Sequence, residues 1–259
     1  MALALVSRAT ENAVRQRNLR SFDAAEMEHW SAEQILSWSV QNYHPRLALS
    51  ASFGAPEGMV VLDMLHRVDP ASRVFVLDTG RLHGASYDLI DRVREHYGKA
   101  IEVVFPAAAR VEAMTREHGM NLFYDSIEHR KLCCRVRKVE PMRRYLADLD
   151  AYVTGLRRDQ NLNRRETPKV ELDVGTGGLL KINPIADWSR ERVMEYVAEH
   201  RVPINRLHSQ GFPSVGCGPC TRAVRPGEDP RAGRWWWEND ETKECGLHLP
   251  DEQQGGSGI

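Results

Sequence analysis

The sequence predicts an α/β fold built on a parallel sheet. Short apolar runs alternate with longer amphipathic ones from Leu47 to Phe105, and a further buried run, Ala151-Tyr-Val-Thr154, continues the series after a helical stretch. The composition agrees: 259 residues, 42% hydrophobic and 27% charged, are enough for one sizeable α/β core or two small domains, and fall outside the disordered and collagen-like classes.

Ser31-Ala-Glu-Gln34 is a capping box that starts a helix, with Ile35, Leu36 and Trp38 opening its apolar face. Strands are expected at Leu47 to Ser52, Val74 to Leu77 and Ile101 to Phe105, separated by a helix from about Glu57 and another through Tyr87 and Val93. Pro141 sits where a first helical turn would be, so a helix is expected from there through Leu146. Residues 157–169 are polar and Arg/Asn-rich and read as a mobile loop. Val170 to Val174 and Leu179 to Ile182 flank Gly-Thr-Gly-Gly as a hairpin, and a helix runs from Ser189 to about His200. From Pro226 onward no period holds, and the Gly/Ser-rich Gly255 to Gly258 reads as disordered. The division expected is an N-terminal arm at 1–25, a nucleotide-binding α/β domain at 26–225 and a C-terminal tail at 226–259.

Lys and Arg number 35 against 36 Asp and Glu, a balance of −1 that speaks against bulk nucleic-acid binding. No apolar run approaches the roughly 20 residues of a membrane span. The opening Met-Ala-Leu-Ala-Leu-Val is cut short by Ser7 and Arg8, below the roughly 7 to 15 apolar residues of a signal peptide, so a cytoplasmic location is expected. Nothing in the sequence decides whether the chain forms a homo-oligomer.

Three strand ends carry polar chemistry. Ser50-Ala-Ser52-Phe53-Gly54 follows the first strand and precedes a helix, where backbone amides and the helix dipole can make an anion site; an ordinary strand-to-helix turn is the alternative. Asp78-Thr79-Gly80-Arg81 closes the next strand at the same sheet edge. Gly155-Leu-Arg157-Arg158 closes a third, bringing guanidinium groups suited to phosphate or sulfate oxygens, or else a solvated basic loop. Convergence of the three favours an anionic, nucleotide-like ligand.

The five cysteines form a tandem pair, Cys133-Cys134, a Cys217-Gly-Pro-Cys220 pair and a lone Cys245. Four thiolates in two pairs are the number needed for either Zn(II) or an iron–sulfur cluster. Directly adjacent ligands suit the separate irons of a cluster better than two corners of one zinc ion. In Lys243-Glu-Cys245-Gly-Leu-His248 a cation beside the thiol favours the thiolate, the form that acts as nucleophile; an inert terminal cysteine is the alternative. The Trp235-Trp236-Trp237 run reads as a hydrophobic anchor for the tail, and His248 has no clear part.

In order along residues 45–248 stand Ser-Phe-Gly, Leu-Asp-Thr-Gly-Arg, Cys-Cys-x-x-Arg-Lys-Val-Glu-Pro, Gly-Leu-Arg-Arg-Asp-Gln, Gly-Cys-Gly-Pro-Cys-Thr-Arg, Gly-Arg-Trp-Trp-Trp-Glu and Lys-Glu-Cys-Gly-Leu-His. Together these closely resemble the assimilatory adenylyl-sulfate reductases. The resemblance implies an adenine nucleotide α-hydrolase-like, doubly wound fold with adenosine 5′-phosphosulfate across the strand ends and a flexible catalytic tail. It also implies a [4Fe-4S] cluster on Cys133, Cys134, Cys217 and Cys220, sulfate-binding cations at Lys138, Arg231 and Arg234, and a nucleophile at Cys245. The thiolate would attack the sulfate sulfur, AMP would leave, and thioredoxin or glutaredoxin would discharge the S-sulfocysteine as sulfite.

Related ATP pyrophosphatases carry Ser-Gly-Gly-x-Asp-Ser at the first loop, and this chain lacks the double glycine. Pro56 is a further departure within Gly54-Ala-Pro-Glu-Gly58. Other readings are a 3′-phosphoadenosine 5′-phosphosulfate reductase, which generally lacks the two cysteine pairs, a dual-specificity enzyme, and a metal-bearing RNA-binding or tRNA-modifying module.

Overall fold

The fold is that of a computed structural model, which describes residues 22–160, 164–176 and 178–238. Strands β1 (Leu47–Ser50), β2 (Arg73–Leu77), β3 (Glu102–Val104), β4 (Ala151–Val153), β5 (Val170–Asp173) and β6 (Leu179–Ile182) form one sheet in the order β3-β2-β1-β4-β6-β5. Every neighbouring pair is parallel except β5 with β6, an antiparallel hairpin in which Val170 faces Ile182. The chain builds outward from β1 to β3, then returns to the other side of β1 as β4. That reversal is the switch point of a doubly wound sheet, and ligands bind beyond the carboxyl ends of the two strands that flank it.

The helices are α1 (Ala24–Met27), α2 (Ala32–Tyr43), α3 (Pro56–Val68), α4 (Gly84–Tyr97), α5 (Ala108–His118), α6 (Ile127–Cys134), α7 (Glu140–Leu146) and α8 (Arg190–His200). α2 opens on the predicted capping box: Ser31 Oγ accepts from the Gln34 amide at 3.2 Å, and Gln34 Oε1 accepts from the Ser31 amide at 2.7 Å. Pro56 occupies the first turn of α3, where no intrahelical N–H is needed, so the unexpected proline starts the helix. Ser189 caps α8 by accepting from the Arg192 amide at 3.1 Å.

Strand residues alternate between two buried faces, as a sheet covered on both sides requires. Leu47, Leu49, Val74, Val76, Ala151 and Val153 pack with Ile35, Leu36, Leu62, Leu89 and Val193 of the helices on one side. Ala48, Phe75 and Tyr152 face Met142 and Leu146 of α7 on the other.

Two local expectations change. Pro141 sits in the first turn of α7 and that helix runs through Leu146 as expected, but it is not a fresh start: α6 continues through a π-helical turn (Arg135–Val139) into α7, and the Glu140 amide donates back to Arg135, five residues earlier. Proline supplies no amide, and a widened turn just ahead of it lets the helix run on in a shifted register. The polar stretch after β4 is also tied down where it is described. The Arg157 side chain is 3% exposed because Glu57, 100 positions away, accepts from it, and Arg158 pairs with Glu28. Residues 226–238 hold neither helix nor strand, yet they pack on the body: Thr221 bridges Arg234, and Trp235 is 1% exposed.

Candidate active site

Ser50 at the end of β1, Thr79 after β2 and Gly155 after β4 open onto one cleft of about 350 Å³ at the switch point. Ser52, Lys138, Arg157, Arg231 and Arg234 line it too, so eight residues expected from the strand ends and the cationic motifs meet there. Arg164 and Arg190 also line the cleft and were missed. Arg164 was hidden in the polar loop, and Arg190 opens a surface-looking helix; only its place at a helix start beside the sheet edge hinted at a role.

The other expected residues do not line the cleft. Phe53 is fully buried core with φ of +54°, and its carbonyl accepts from Asn205 Nδ2 at 2.9 Å. Gly54 backs onto Val215, whose carbonyl oxygen would lie 2.5 Å from an added Cβ. Asp78 accepts from the Gly80 amide at 2.8 Å and the Tyr87 hydroxyl at 2.9 Å, which shapes the turn after β2. Gly80 itself takes φ of +68°, a conformation that favours glycine. Arg158 points away from the cleft, toward Glu28 and the Thr167 carbonyl. Arg157 lines the cleft, but Glu57 and Asp159 already partner its guanidinium. Its role is therefore to build the wall rather than to offer a free charge.

Next to the cleft is a small cavity of about 20 Å³, lined by Cys133, Cys134, Cys217 and Cys220. All four are buried free thiols. α6 supplies the first pair at its last turn; the second comes from the loop after Val215, held because Leu82 bridges Cys217 and the Gly218 amide donates to the Arg81 carbonyl at 2.7 Å. Arg81 lines this cavity rather than the cleft, with its guanidinium 5.4 Å from the centre of the Phe123 ring. Arg130, Arg137 and Lys138 add further positive charge. Lys138, Cys217 and Trp235 line both spaces.

The thiols differ. Burial pushes Cys133 up and Cys220 up to about 12. Burial would raise Cys217 as well, but the Lys138 ammonium and the Thr79 hydroxyl, 3.3 Å from its sulfur, outweigh this and lower it. Among the described residues, no group of three or more His, Cys, Asp or Glu side chains is set to hold a single metal ion. Four cysteines lining one cavity with basic side chains are a donor set of the kind that thiolate-ligated metal centres use. Cys245 and His248 lie outside the described residues.

Residues 46–223 match the phosphoadenosine phosphosulfate reductase domain. The chain belongs to that family. It is 48% identical over 206 residues to an adenosine 5′-phosphosulfate reductase of Burkholderia cepacia, covering 80% of this chain and 82% of that one. To the protein of the same description from Allochromatium vinosum it is 50% identical over 202 residues, 78% of each chain. Among solved structures, the phosphoadenylyl-sulfate reductase of Candida auris in its phosphate complex superposes with a TM-score of 0.66 at 26% identity, over 79% of this chain and 99% of that one. Membership of a reductase family sets aside the RNA-binding alternative. No helix among the described residues is long and apolar enough to cross a membrane.

Proposed function

We propose that this chain reduces adenosine 5′-phosphosulfate to sulfite and AMP, with Cys245 as nucleophile and thioredoxin, or glutaredoxin, as reductant. The observation that carries this is the shared wall: Lys138 and Cys217 border both the nucleotide-sized cleft and the cysteine cavity. A nucleotide laid across the strand ends would put its anionic sulfate beside Lys138, Arg231 and Arg234, where positive charge offsets that of the phosphosulfate. The Cys245 thiolate attacks the sulfate sulfur, the S–O bond to the phosphate breaks, and AMP leaves with the electron pair. A thioredoxin thiolate then attacks the Cys245 sulfur, the S–S bond to the sulfonate breaks and sulfite leaves; thioredoxin's second thiol attacks the resulting mixed disulfide, closes the thioredoxin disulfide and returns Cys245 as a thiol.

Cys133, Cys134, Cys217 and Cys220 would hold a [4Fe-4S] cluster, which would cross-link the end of α6 to the Cys217 loop and add negative charge beside Lys138. A thiol nucleophile that must stay reduced and a dithiol reductant suit a reducing, cytoplasmic compartment. For the thioredoxin step the Cys245 thiol must become accessible to an external thiolate once AMP has left.

The test is sulfite and AMP release from adenosine 5′-phosphosulfate and from its 3′-phosphorylated counterpart, with and without thioredoxin. Without thioredoxin, one equivalent of AMP should appear and one sulfonate should map to the peptide containing Cys245. Cys245→Ser should abolish turnover yet keep AMP affinity and iron content, because the nucleophile contributes to the reacting state rather than to folding. A sulfonate on another cysteine, or a Cys245→Ser variant that turns over, overturns the assignment. Turnover of the 3′-phosphorylated nucleotide alone would make the chain a reductase of that substrate, and equal turnover of both a dual-specificity enzyme.

A further inference from the structure

Glu238 is the last described residue before the segment that carries Cys245, and its side chain is only 2% exposed. Both carboxylate oxygens accept from Arg130, from Nε at 2.8 Å and Nη2 at 2.8 Å, and that arginine is wholly buried. The Arg130 guanidinium also lies 4.9 Å from the centre of the Trp235 ring, and it lines the cysteine cavity. A buried ion pair gains little net stability after desolvation; its best-attested use is to select one arrangement over others.

We propose that Arg130 and Glu238 are positioning residues for the nucleophilic tail: the buried pair fixes the tail's root against the helix end that bears Cys133 and Cys134. The inference rests on the reading of Cys245 as nucleophile. From Glu238 to Cys245 the chain has seven residues (245 − 238), a reach of at most roughly 25 Å. Trp235, three residues before the root, stands on the wall common to the cleft and the cysteine cavity. If Cys245 is the nucleophile, releasing the root should lower the effective concentration of its thiolate at the sulfate.

The experiment uses the full chain, purified anaerobically, as wild type, Glu238→Gln and Glu238→Asp. Four quantities are read: iron content, AMP affinity, the alkylation rate of Cys245 by iodoacetamide with no substrate present, and single-turnover AMP release from adenosine 5′-phosphosulfate. Glu238→Gln should retain iron and bind AMP within about twofold of wild type, while single-turnover release slows by about tenfold or more and Cys245 alkylates severalfold faster. Glu238→Asp, which keeps the charge on a shorter arm, should fall between the two and decides the matter where Gln perturbs folding. Unchanged alkylation and single-turnover rates in both variants overturn the proposal. So does a loss that is wholly one of iron or of AMP affinity, since that would mark a merely structural pair. If wild-type Cys245 is never sulfonated, the nucleophile assignment fails by itself, and the alkylation rates still decide the anchor.

Discussion

Whether a basic side chain in the cleft can serve a ligand depends on what already neutralises it. Arg157 is spoken for by Glu57 and Asp159. Arg157→Ala strands the Glu57 carboxylate, 6% exposed, without its ion-pair partner and should destabilise the fold by roughly 3–5 kcal/mol in urea unfolding. Lys138, Arg231 and Arg234 are assigned to the sulfate rather than to the adenosine. Lys138→Ala, Arg231→Ala and Arg234→Ala should each weaken the phosphosulfate nucleotide by on the order of 1.5–3 kcal/mol, with a smaller effect on AMP, by titration calorimetry. Equal weakening of both ligands would restrict these residues to the phosphate or the fold. Motif position alone could not separate these roles, because Arg157 and Arg158 are adjacent in sequence and yet one lines the cleft and the other turns to Glu28.

At the level of elements, the chain leaving β4 passes α3 at a residue with no side chain, Gly155. A Cβ on Gly155 would come within 2.9 Å of the backbone at Glu57 and Gly58, the first turn of α3. That close approach sits at the switch point, so Gly155→Ala should cost about 1–3 kcal/mol in thermal or urea unfolding and displace the strand end from α3. The π-helical turn is the second such device. It follows directly on Cys134 and contains Lys138, so one shift of helical register sets both the cysteine pair and the lysine that borders the two cavities. The strands, the capped helices α2 and α8 and the β5–β6 hairpin were legible because periodicity, caps and turn residues are local signals. α5 was passed over, since only Met114 of it is buried and its apolar stripe is correspondingly thin.

For the whole molecule, the cysteine cavity joins segments 83 positions apart (217 − 134), so a group bound there would hold α6 and the Cys217 loop as one body. Single replacement of Cys133, Cys134, Cys217 or Cys220 by Ser should lose iron and sulfide together and lower Tm, measured on anaerobically purified protein. Stoichiometric zinc without sulfide in the wild type would overturn the cluster assignment. The same loop carries Cys217 into the cleft wall, so cleft geometry and cavity integrity should decline in step.

By itself the sequence determined the parallel sheet, the three strand ends that meet at its edge, the two cysteine pairs and the isolated thiol, because each is written in residues a few positions apart. Only the tertiary structure decided which charges are paired with partners 100 or more positions distant, as Arg157 with Glu57 and Arg130 with Glu238. It alone showed that residues 226–238, aperiodic in sequence, pack on the body with Trp235 buried. The reason is physical: backbone periodicity reports local hydrogen bonding and burial, whereas the neutralisation of a buried charge depends on whichever distant carboxylate the folded chain brings within reach.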